Sequence, residues 1–400
     1  MKKLKVGVWV FENSNPQWGG GFSYYYQLVS ALQNYTFKNA DILFLCNEVN
    51  VTDSFDAYII KWKPNKLLSA FVLFTNFFRT IPFIRGFSNL VYSLDKKHNL
   101  KLKTELCKQV DIIYYLTPKC VYPTFPFIYT LWDLGPVSTY SFPELSMKHY
   151  KSKKKNLDTI LPIALMIFAE SCTGKKDVIK FFNINEDRIK VVPIFPSEIV
   201  SDKILSLRPK LLSNEQEFII YPAQYWPHKN HYNLLIALKE IVITYPNLKL
   251  FMTGFDHGNK QYISQVILDL GLTNSVESLG FVSTEELKWL YLNSHGLVMP
   301  TFLGPTNLPL LEAAELGCPV ACSNIPGHLE QLGDYGYYFD PKNPHDIAQK
   351  TLNMITDKKN NIIKSYASVF NLTESLIAID DAFHEIRSIR FCWGENDEVF

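Results

Sequence analysis

The stretch PTFLGPTNLPLLEAAELGCPV, residues 300–320, is the part of the chain best suited to bind an anion. It follows a short apolar run at 296–300, and its periodicity predicts a helix that begins near Leu308. The first amides of a helix are free donors, and the helix dipole is positive there. Gly304 in the preceding loop lets the backbone pass close to a ligand. The spacing therefore predicts a binding site at the start of this helix.

Three polar side chains of this stretch have types that suit such a site. Thr306 and Asn307 are favoured helix-cap residues. Glu312 lies one turn into the helix, where its carboxylate can accept two hydrogen bonds from a ribose diol. The same residues also suit ordinary capping and dipole matching. Taken alone, the segment leaves a binding role and a structural role open.

The elements that would position this site alternate between strand and helix along the chain, which indicates parallel sheets covered by helices. Strands are predicted at 4–10, 41–46, 55–60, 110–115 and 126–131, and again at 217–222, 248–253, 276–280, 296–300, 319–322 and 335–339. Prolines and serines at about 195–216 indicate a linker between two series. We therefore predict an α/β protein in which two Rossmann-like, doubly wound domains face each other across a cleft.

Composition excludes several classes of protein. The 400 residues suit two domains, and 47% apolar with 20% charged residues exclude a disordered chain. Seven cysteines without a CxxC motif indicate neither a disulfide framework nor a zinc site, and they favour a reducing compartment. Residues 1–200 carry 25 Lys and Arg against 16 Asp and Glu, whereas residues 201–400 carry 15 against 23. Nucleic acid is not an expected partner, because the half with the predicted site is acidic.

The residues around the predicted site closely resemble the Glu-x7-Glu region of glycosyltransferase family 4, whose members are retaining enzymes of GT-B fold. The likeness covers most of the chain and is specific in the second half. It is carried there by PVACSNIPGHLEQLGDYGYYFDPKNPHDIA at 319–348, by YPAQYWPHKNHYNLLIALKE at 221–240 and by LGFVSTEELKWLYLNSHGLVMPT at 279–301. In the first half, WDLGP at 132–136 and AESCTGKKDVIKFF at 169–182 match more loosely.

The resemblance implies a role for each matching residue. Lys229 would neutralise the diphosphate of a nucleotide-sugar donor, and Glu312 would hold the ribose hydroxyls. Other donor contacts would come from amides at Thr306, Asn307 and Leu308, from Phe281 and Val282 beside the base, and from the helix start at Gly20 and Gly21. The structural alternatives are a surface lysine, core packing of Phe281 and Val282, and a plain tight turn at the two glycines.

The sequence departs from the family pattern at three positions. The first Glu of Glu-x7-Glu falls on Gly304, the diphosphate arginine falls near Gln224, and the frequent His before Asp falls on Trp132. These changes put the contacts to the transferred sugar in question. His228 is a candidate to restore positive charge, and a solvent-facing histidine is the alternative.

The resemblance and the missing residue types together imply a mechanism. Because no Asp-x-Asp motif occurs, we expect neither a metal nor another cofactor, and Lys229 and helix N-termini would stabilise the leaving diphosphate. No paired carboxylates suited to double displacement stand out, so we expect transfer with retention, aided by a diphosphate oxygen. Asp133 is the candidate for orienting the acceptor, and a structural Asp at a strand end is the alternative.

Residues 61–97 mix lysines and arginines with phenylalanines, which is typical of a helix at an anionic membrane surface. A packed helical pair with solvated lysines is the alternative. The apolar stretches near 69–78 and 160–169 are about half the length that spans a bilayer. We therefore expect a cytoplasmic protein, with peripheral contact at the inner face of the plasma membrane as the membrane hypothesis.

The implied function is a hexosyltransferase that uses a UDP- or GDP-linked donor and a glycan or lipid-linked glycan acceptor in bacterial surface polysaccharide synthesis. Residues 1–200 would form the acceptor-side domain, residues 201–370 the nucleotide-sugar domain, and residues 371–400 a helical tail that packs back on the first domain. A GT-B epimerase or phosphorylase is one alternative. A non-catalytic GT-B scaffold is the other, which the glycine at position 304 leaves open.

Overall fold

Two parallel sheets, one in each half of the chain, organise the protein. The computed structural model describes residues 2–11, 20–46, 57–59, 102–139, 141–147, 150–210, 212, 216–362 and 364–393. The segment 61–97 proposed for the membrane surface and the first glycine of the 19–21 run lie outside these residues. The predicted fold class, with two α/β domains built on parallel sheets, is confirmed by this arrangement.

The first sheet has seven strands among the described residues, in the order β3-β2-β1-β4-β5-β6-β7. These are β1 Leu4–Trp9, β2 Ala40–Cys46, β3 Ala57–Ile59, β4 Ile112–Tyr115, β5 Phe127–Leu131, β6 Met166–Ala169 and β7 Ile189–Val191. The central strands β4, β5 and β6 are buried along their whole length, as expected of a parallel sheet covered on both faces. The sequence patterns do not predict β6 and β7, because the apolar run at 160–169 contains a helix end and a strand without a polar break.

The helices of the first domain are short except for the one that follows β1. They are Gly20–Asn34, residues 102–109, Gly135–Ser138, Pro143–Ser146, Tyr150–Ile160 and Cys172–Phe182. The helix Cys172–Phe182 begins at a capping serine, because the Ser171 hydroxyl accepts a hydrogen bond from the Gly174 amide at 3.0 Å. This helix starts at the carboxyl end of β6, on the edge of the sheet that faces the second domain.

The second sheet has the strand order β10-β9-β8-β11-β12-β13, which is the doubly wound order with its switch point between β8 and β11. Its strands are β8 Phe218–Pro222, β9 Lys249–Thr253, β10 Val276–Gly280, β11 Leu297–Met299, β12 Val320–Ser323 and β13 Tyr337–Phe339. Its helices are His231–Thr244, Lys260–Asp269, Thr284–Asn293, Leu308–Glu315, Pro326–Leu332 and Pro344–Lys359. The strands lie close to their predicted bounds, since each is a short apolar run that ends at Gly, Pro or a polar residue.

The last helix, Leu372–Arg390, contacts the first domain. The Asp380 carboxylate accepts hydrogen bonds from the backbone amides of Lys38 and Asn39, at 3.2 and 3.0 Å. Arg390 forms an ion pair with Asp111 at 3.1 Å, beside β4. The chain therefore crosses between the two domains twice. Within the described part of the chain, no helix is both long and apolar enough to span a membrane.

Candidate active site between the two domains

The loops that follow β8 and β11 meet at the switch point of the second sheet, where ligands bind in open α/β sheets. Asn230 joins them: its backbone is left-handed, at φ +63°, a conformation that asparagine tolerates. Its side-chain amide donates to the carbonyl oxygens of Pro300 at 2.9 Å and Pro341 at 2.8 Å. Asn230, which directly follows Lys229, thereby holds together the ends of β8, β11 and β13.

Lys229 lies in this loop and its side chain reaches the second loop. Its Nζ donates to Oδ1 of Asn307 at 3.1 Å, and its carbonyl oxygen accepts from the Tyr221 hydroxyl at 2.5 Å. Burial lowers the pKa of Lys229 to about 8, and the charge of Asp133 acts in the opposite direction. The Lys229 amine is therefore mostly protonated at pH 7, and the resulting ammonium lies at the start of helix Leu308–Glu315. This places two predicted site residues, Lys229 and Asn307, in direct contact.

The side chain of Asn307 is held from behind by a buried histidine. Asn307 Nδ2 lies 2.9 Å from His328 Nε2, and His328 Nδ1 lies 3.0 Å from the carbonyl oxygen of Ser323. Because a carbonyl oxygen only accepts, Nδ1 carries the ring proton and Nε2 accepts from the amide of Asn307. Burial lowers the pKa of His328 to about 3, so the ring is neutral at pH 7.

The backbone of Asn307 is clamped by the same helix, Pro326–Leu332. Gln331 accepts from the Asn307 amide at 2.8 Å and donates to the Asn307 carbonyl oxygen at 3.2 Å. Gly327 lies so close that a Cβ there would be 2.2 Å from the carbonyl oxygen of Pro305. His328 and Gln331 are absent from the sequence prediction. They lie inside the stretch 319–348 that carries the family resemblance, but no spacing or charge pattern sets them apart.

The backbone at Gly304 explains why no glutamate occupies that position. Its φ of +147° lies in the region that favours glycine. A Cβ there would be 2.1 Å from Nδ2 of Asn307, the atom that His328 binds. The glycine at 304 and the asparagine at 307 are therefore parts of one loop conformation.

The amides predicted to cradle phosphate are not all available. That of Asn307 is already bound by Gln331, and Pro309 has no amide hydrogen. No described residue accepts a hydrogen bond from the amides of Thr306 or Leu308, so these two remain as donors. The cradle thus consists of two amides on either side of a fixed asparagine.

His228 makes an interdomain contact instead of facing solvent. Its amide and its Nδ1 lie 3.1 and 2.8 Å from one carboxylate oxygen of Glu144, in the helix Pro143–Ser146. Burial and then the charge of Lys229 lower the pKa of His228, although Glu144 acts in the opposite direction. The larger effects thus disfavour a positive charge on this imidazole. Nearby, the Gln224 side chain accepts from the indole of Trp226 at 3.0 Å.

Glu312 is 6% exposed and already hydrogen-bonded in the protein. One carboxylate oxygen accepts from the Ser197 hydroxyl at 2.5 Å, and the other accepts from the Tyr291 hydroxyl at 3.1 Å. Burial raises the pKa of Glu312, while these two hydroxyls lower it. A ribose diol that binds this carboxylate must use the remaining acceptor positions or replace one hydroxyl.

The two residues predicted beside the base follow β10 and differ in exposure. Phe281 is 66% exposed, and its ring stacks on that of Phe255 at 5.3 Å between centroids. Val282 is half-buried and packs against the core of the second domain. A bare aromatic face at the carboxyl edge of the sheet suits stacking with a nucleobase, and Phe281 supplies one.

The predicted residues of the first domain lie on the opposite side. Asp133 Oδ1 accepts from the Gly135 amide at 2.8 Å and pairs with Lys153 at 3.5 Å, whereas no described residue donates to Oδ2. Gly20 begins the helix Gly20–Asn34. A Cβ at Gly21 would lie 3.1 Å from the ring of Trp132, so this helix start packs against the residue that precedes Asp133.

Glu170 and Glu330, which the sequence patterns do not single out, also lie between the domains. Glu170, directly after β6, is 9% exposed. Burial raises the pKa of Glu170 well above its usual range, while Thr306 of the second domain acts to lower it. The Glu330 carboxylate accepts from the amides of Cys172 at 2.6 Å and Thr173 at 2.8 Å. Both carboxyl groups thus lie where the two domains meet.

Known proteins resemble this chain in sequence and in fold. Residues 203–369 match the family model of glycosyl transferases group 1. The chain is 27% identical to the O-antigen chain mannosyltransferase B of Escherichia coli over 55% of this chain and 60% of that protein. The chain spans about half the length of two further relatives, each 29% identical: a glycosyltransferase of Methanocaldococcus jannaschii and an O-antigen chain mannosyltransferase of Salmonella typhimurium.

Two solved structures share the fold over nearly the whole chain. A glycosyltransferase from Rickettsia africae has a TM-score of 0.63 at 17% identity and covers 98% of this chain and 99% of its own. The Anabaena protein HepE, in complex with UDP and glucose, has a TM-score of 0.61 at 16% identity and covers 96% of this chain and 99% of its own. At such identities the likeness establishes the fold. The second domain therefore matches the glycosyl transferases group 1 model over residues 203–369, and the two domains together have the GT-B fold.

Proposed function

We propose that the protein transfers a hexosyl group from a UDP- or GDP-linked sugar to a glycan or lipid-linked glycan, in the synthesis of a bacterial surface polysaccharide. The contact between Lys229 and Asn307, at the start of helix Leu308–Glu315, carries the proposal. An ammonium and free helix amides at one point can stabilise a departing diphosphate. The mannosyltransferase relative supports a hexosyl group, and the UDP complex of HepE supports a nucleotide-linked donor.

Each side of the cleft has a role in this proposal. Lys229 and the amides of Thr306 and Leu308 bind the diphosphate, and the helix start at Gly20 and Gly21 approaches it from the first domain. Phe281 borders the base. Glu312 accepts from the ribose diol, and one ribose hydroxyl takes the place of the Ser197 hydroxyl. These assignments rest on the family resemblance and on the positions described above.

The proposed reaction proceeds with retention of configuration and without a metal. The bond from the anomeric carbon to the diphosphate oxygen breaks, and the acceptor oxygen bonds to the same face of that carbon. The acceptor proton passes to the departing diphosphate oxygen, while Lys229 balances the charge that develops there. Asp133 orients the acceptor hydroxyl through Oδ2. Binding and positioning of this kind need no nucleophile from the protein.

The test is a screen of UDP-, GDP- and TDP-sugars for binding by thermal shift, followed by transfer assays with polysaccharide acceptors. A donor at about 100 times its dissociation constant should stabilise the fold by about 2.7 kcal/mol. Mannosyl donors come first because of the relatives. Proton NMR of the product should show the donor's anomeric configuration, with equal rates in EDTA. Nucleotide binding without transfer would instead indicate a scaffold, and conversion of the donor sugar itself would indicate an epimerase.

We also propose peripheral membrane binding through residues 61–97, in the domain that would meet a lipid-linked acceptor. The support is the excess of basic residues in the first half of the chain. Each Lys or Arg near an anionic surface contributes about 1 kcal/mol. Liposome flotation should show binding to anionic vesicles that is lost at high salt and after replacement of Lys61, Lys63, Lys66, Arg79 and Arg85 by Gln. Equal binding to neutral and anionic vesicles, or none, contradicts it.

A further inference from the structure

We propose that His328 is a positioning residue for the donor diphosphate: it fixes the amide of Asn307 so that the amide oxygen faces Lys229 and holds the ammonium in place. The inference rests on the proposed function of Lys229. The relay runs from the carbonyl oxygen of Ser323 to His328, then to Asn307 and to Lys229, with donor–acceptor distances of 3.0, 2.9 and 3.1 Å. His328 is itself fully buried, so it would act through Asn307 and not by touching the donor.

The relay selects one orientation of the Asn307 amide. Since Nδ1 of His328 donates to a carbonyl oxygen, Nε2 offers only a lone pair to Asn307. In the reverse orientation the amide oxygen would face that lone pair, and the amide NH₂ would face the ammonium of Lys229. Both contacts would then be repulsive. The observed orientation makes both contacts attractive, so His328 determines which group Lys229 meets.

Three other contacts make the relay rigid. Gln331 binds both backbone groups of Asn307, at 2.8 and 3.2 Å. Gly304 leaves the space that the Asn307 amide occupies, because a Cβ would lie 2.1 Å from Nδ2. Gly327 permits close contact between helix Pro326–Leu332 and the loop. The loop therefore cannot reorient Asn307 without losing hydrogen bonds that are buried, and such losses are costly.

A neutral imidazole is suited to this role because it has one donor and one acceptor in fixed positions. A protonated ring would donate from both nitrogens and would expel the Asn307 amide group. The His328 ring is fully buried, which keeps it neutral across the physiological range. Among the described residues, the charge of Asp133 raises the pKa of Lys229. The charge of Lys229 in turn lowers the pKa of three histidines, His228, His231 and His328.

Three variants separate this role from general destabilisation. His328→Leu removes the acceptor for Asn307, and His328→Gln retains an acceptor oxygen. Thr351→Val is the matched control, since Thr351 is a fully buried polar residue of the same domain whose hydroxyl binds Ile347, away from the site. Calorimetry would measure the affinity of each for UDP, GDP and TDP between pH 7 and 9.5.

We expect His328→Leu to bind the preferred nucleotide about tenfold more weakly, which is the scale of one hydrogen bond to a charged group. The loss of binding at high pH should also begin at a lower pH, because the ammonium has lost an acceptor that favours its charged form. His328→Gln should recover both properties. Thr351→Val should lower the melting temperature, and it should change neither the nucleotide affinity nor the pH at which binding is lost. Wild-type affinity and pH midpoint in His328→Leu would overturn the inference.

A measurement without any nucleotide keeps this result distinct from the proposed function. ¹⁵N-histidine NMR, with His328 assigned by its absence in the variants, should show a neutral ring protonated on Nδ1 between pH 5 and 8. A ring protonated on Nε2 would overturn the relay even if the enzyme is active. If the wild-type protein binds none of the three nucleotides, the proposed function is overturned and, with it, this inference.

Discussion

Glu330 of the second domain caps Thr173 of the first: one carboxylate oxygen accepts from the Thr173 amide at 2.8 Å and from its hydroxyl at 2.7 Å. The other oxygen accepts from the Cys172 amide at 2.6 Å. The first two amides of helix Cys172–Phe182 are thus satisfied by the opposite domain, whereas the third donates to Ser171. The same contact joins the two domains beside the cleft.

Glu330→Ala should therefore loosen the domains as well as remove a cap. We expect a loss of about 1 kcal/mol of unfolding free energy, typical of a lost cap, and a larger radius of gyration in small-angle X-ray scattering. Asn371→Ala is the control, because Asn371 caps its own helix by accepting from the Glu374 amide at 3.0 Å. It should lose similar stability without a change in scattering. Identical scattering from both variants would show that Glu330 does not set the domain spacing.

Lys229→Ala should reduce transfer by about two to three orders of magnitude, the usual cost of one preorganised donor to a developing charge, with the fold intact. The Lys229 pKa of about 8 in the free protein adds a pH dependence. Since the protonated form binds the diphosphate, affinity should fall about tenfold per pH unit well above pH 8. Lys229→Arg, which stays charged, should flatten that dependence. Near-normal turnover in Lys229→Ala would remove this residue from the mechanism.

Glu312→Gln should weaken nucleotide binding with little loss of stability, because the amide can still pair with Ser197 and Tyr291. The sharp test compares the preferred nucleoside diphosphate with its 2′-deoxy form by calorimetry. Wild type should discriminate between them by about tenfold, the value of one hydrogen bond to a charged group, and the variant should not. Glu312→Ala should also destabilise the fold by about 1–3 kcal/mol, because two buried hydroxyls lose their acceptor. Equal discrimination in wild type and Glu312→Gln would leave Glu312 a purely structural carboxylate.

The His231→Phe variant should become more stable relative to wild type as the pH falls. His231 is 1% exposed, stacks on Tyr225 at 4.8 Å, and has no well-formed hydrogen bond to either ring nitrogen from the described residues. Two effects lower its pKa to about 3: burial is the larger, and the positive charge of Lys229 is the next. Below the unfolded value near 6.5, the unfolded chain gains a proton that the folded protein does not, so wild-type stability falls with pH.

Urea unfolding at pH 7.5, 6.0 and 5.0 measures this effect. The difference between His231→Phe and wild type should grow by about 1.4 kcal/mol per pH unit well below pH 6.5. The difference at pH 7.5 serves as the internal control for changes in packing. A difference that stays constant across the three pH values would show that His231 titrates alike in both states.

Periodicity and turn residues in the sequence determined the two series of strands and helices, apart from β6 and β7. A strand that is a short, bounded apolar run and a helix with its own apolar face can both be recognised without knowing the neighbours. The same local signals located the loop with Lys229 and the helix start after Gly304. The family resemblance then predicted which of their residues would bind a donor.

Tertiary structure alone decided the partners of the polar side chains. Glu312 meets Ser197, 115 residues earlier, and His228 meets Glu144, 84 residues earlier. The orientation of Asn307 depends on His328, in a helix that follows another strand. Such pairs depend on strand order and on how the two domains pack, which local propensity does not encode. A buried polar group must find a partner, but only the folded chain determines which one it finds.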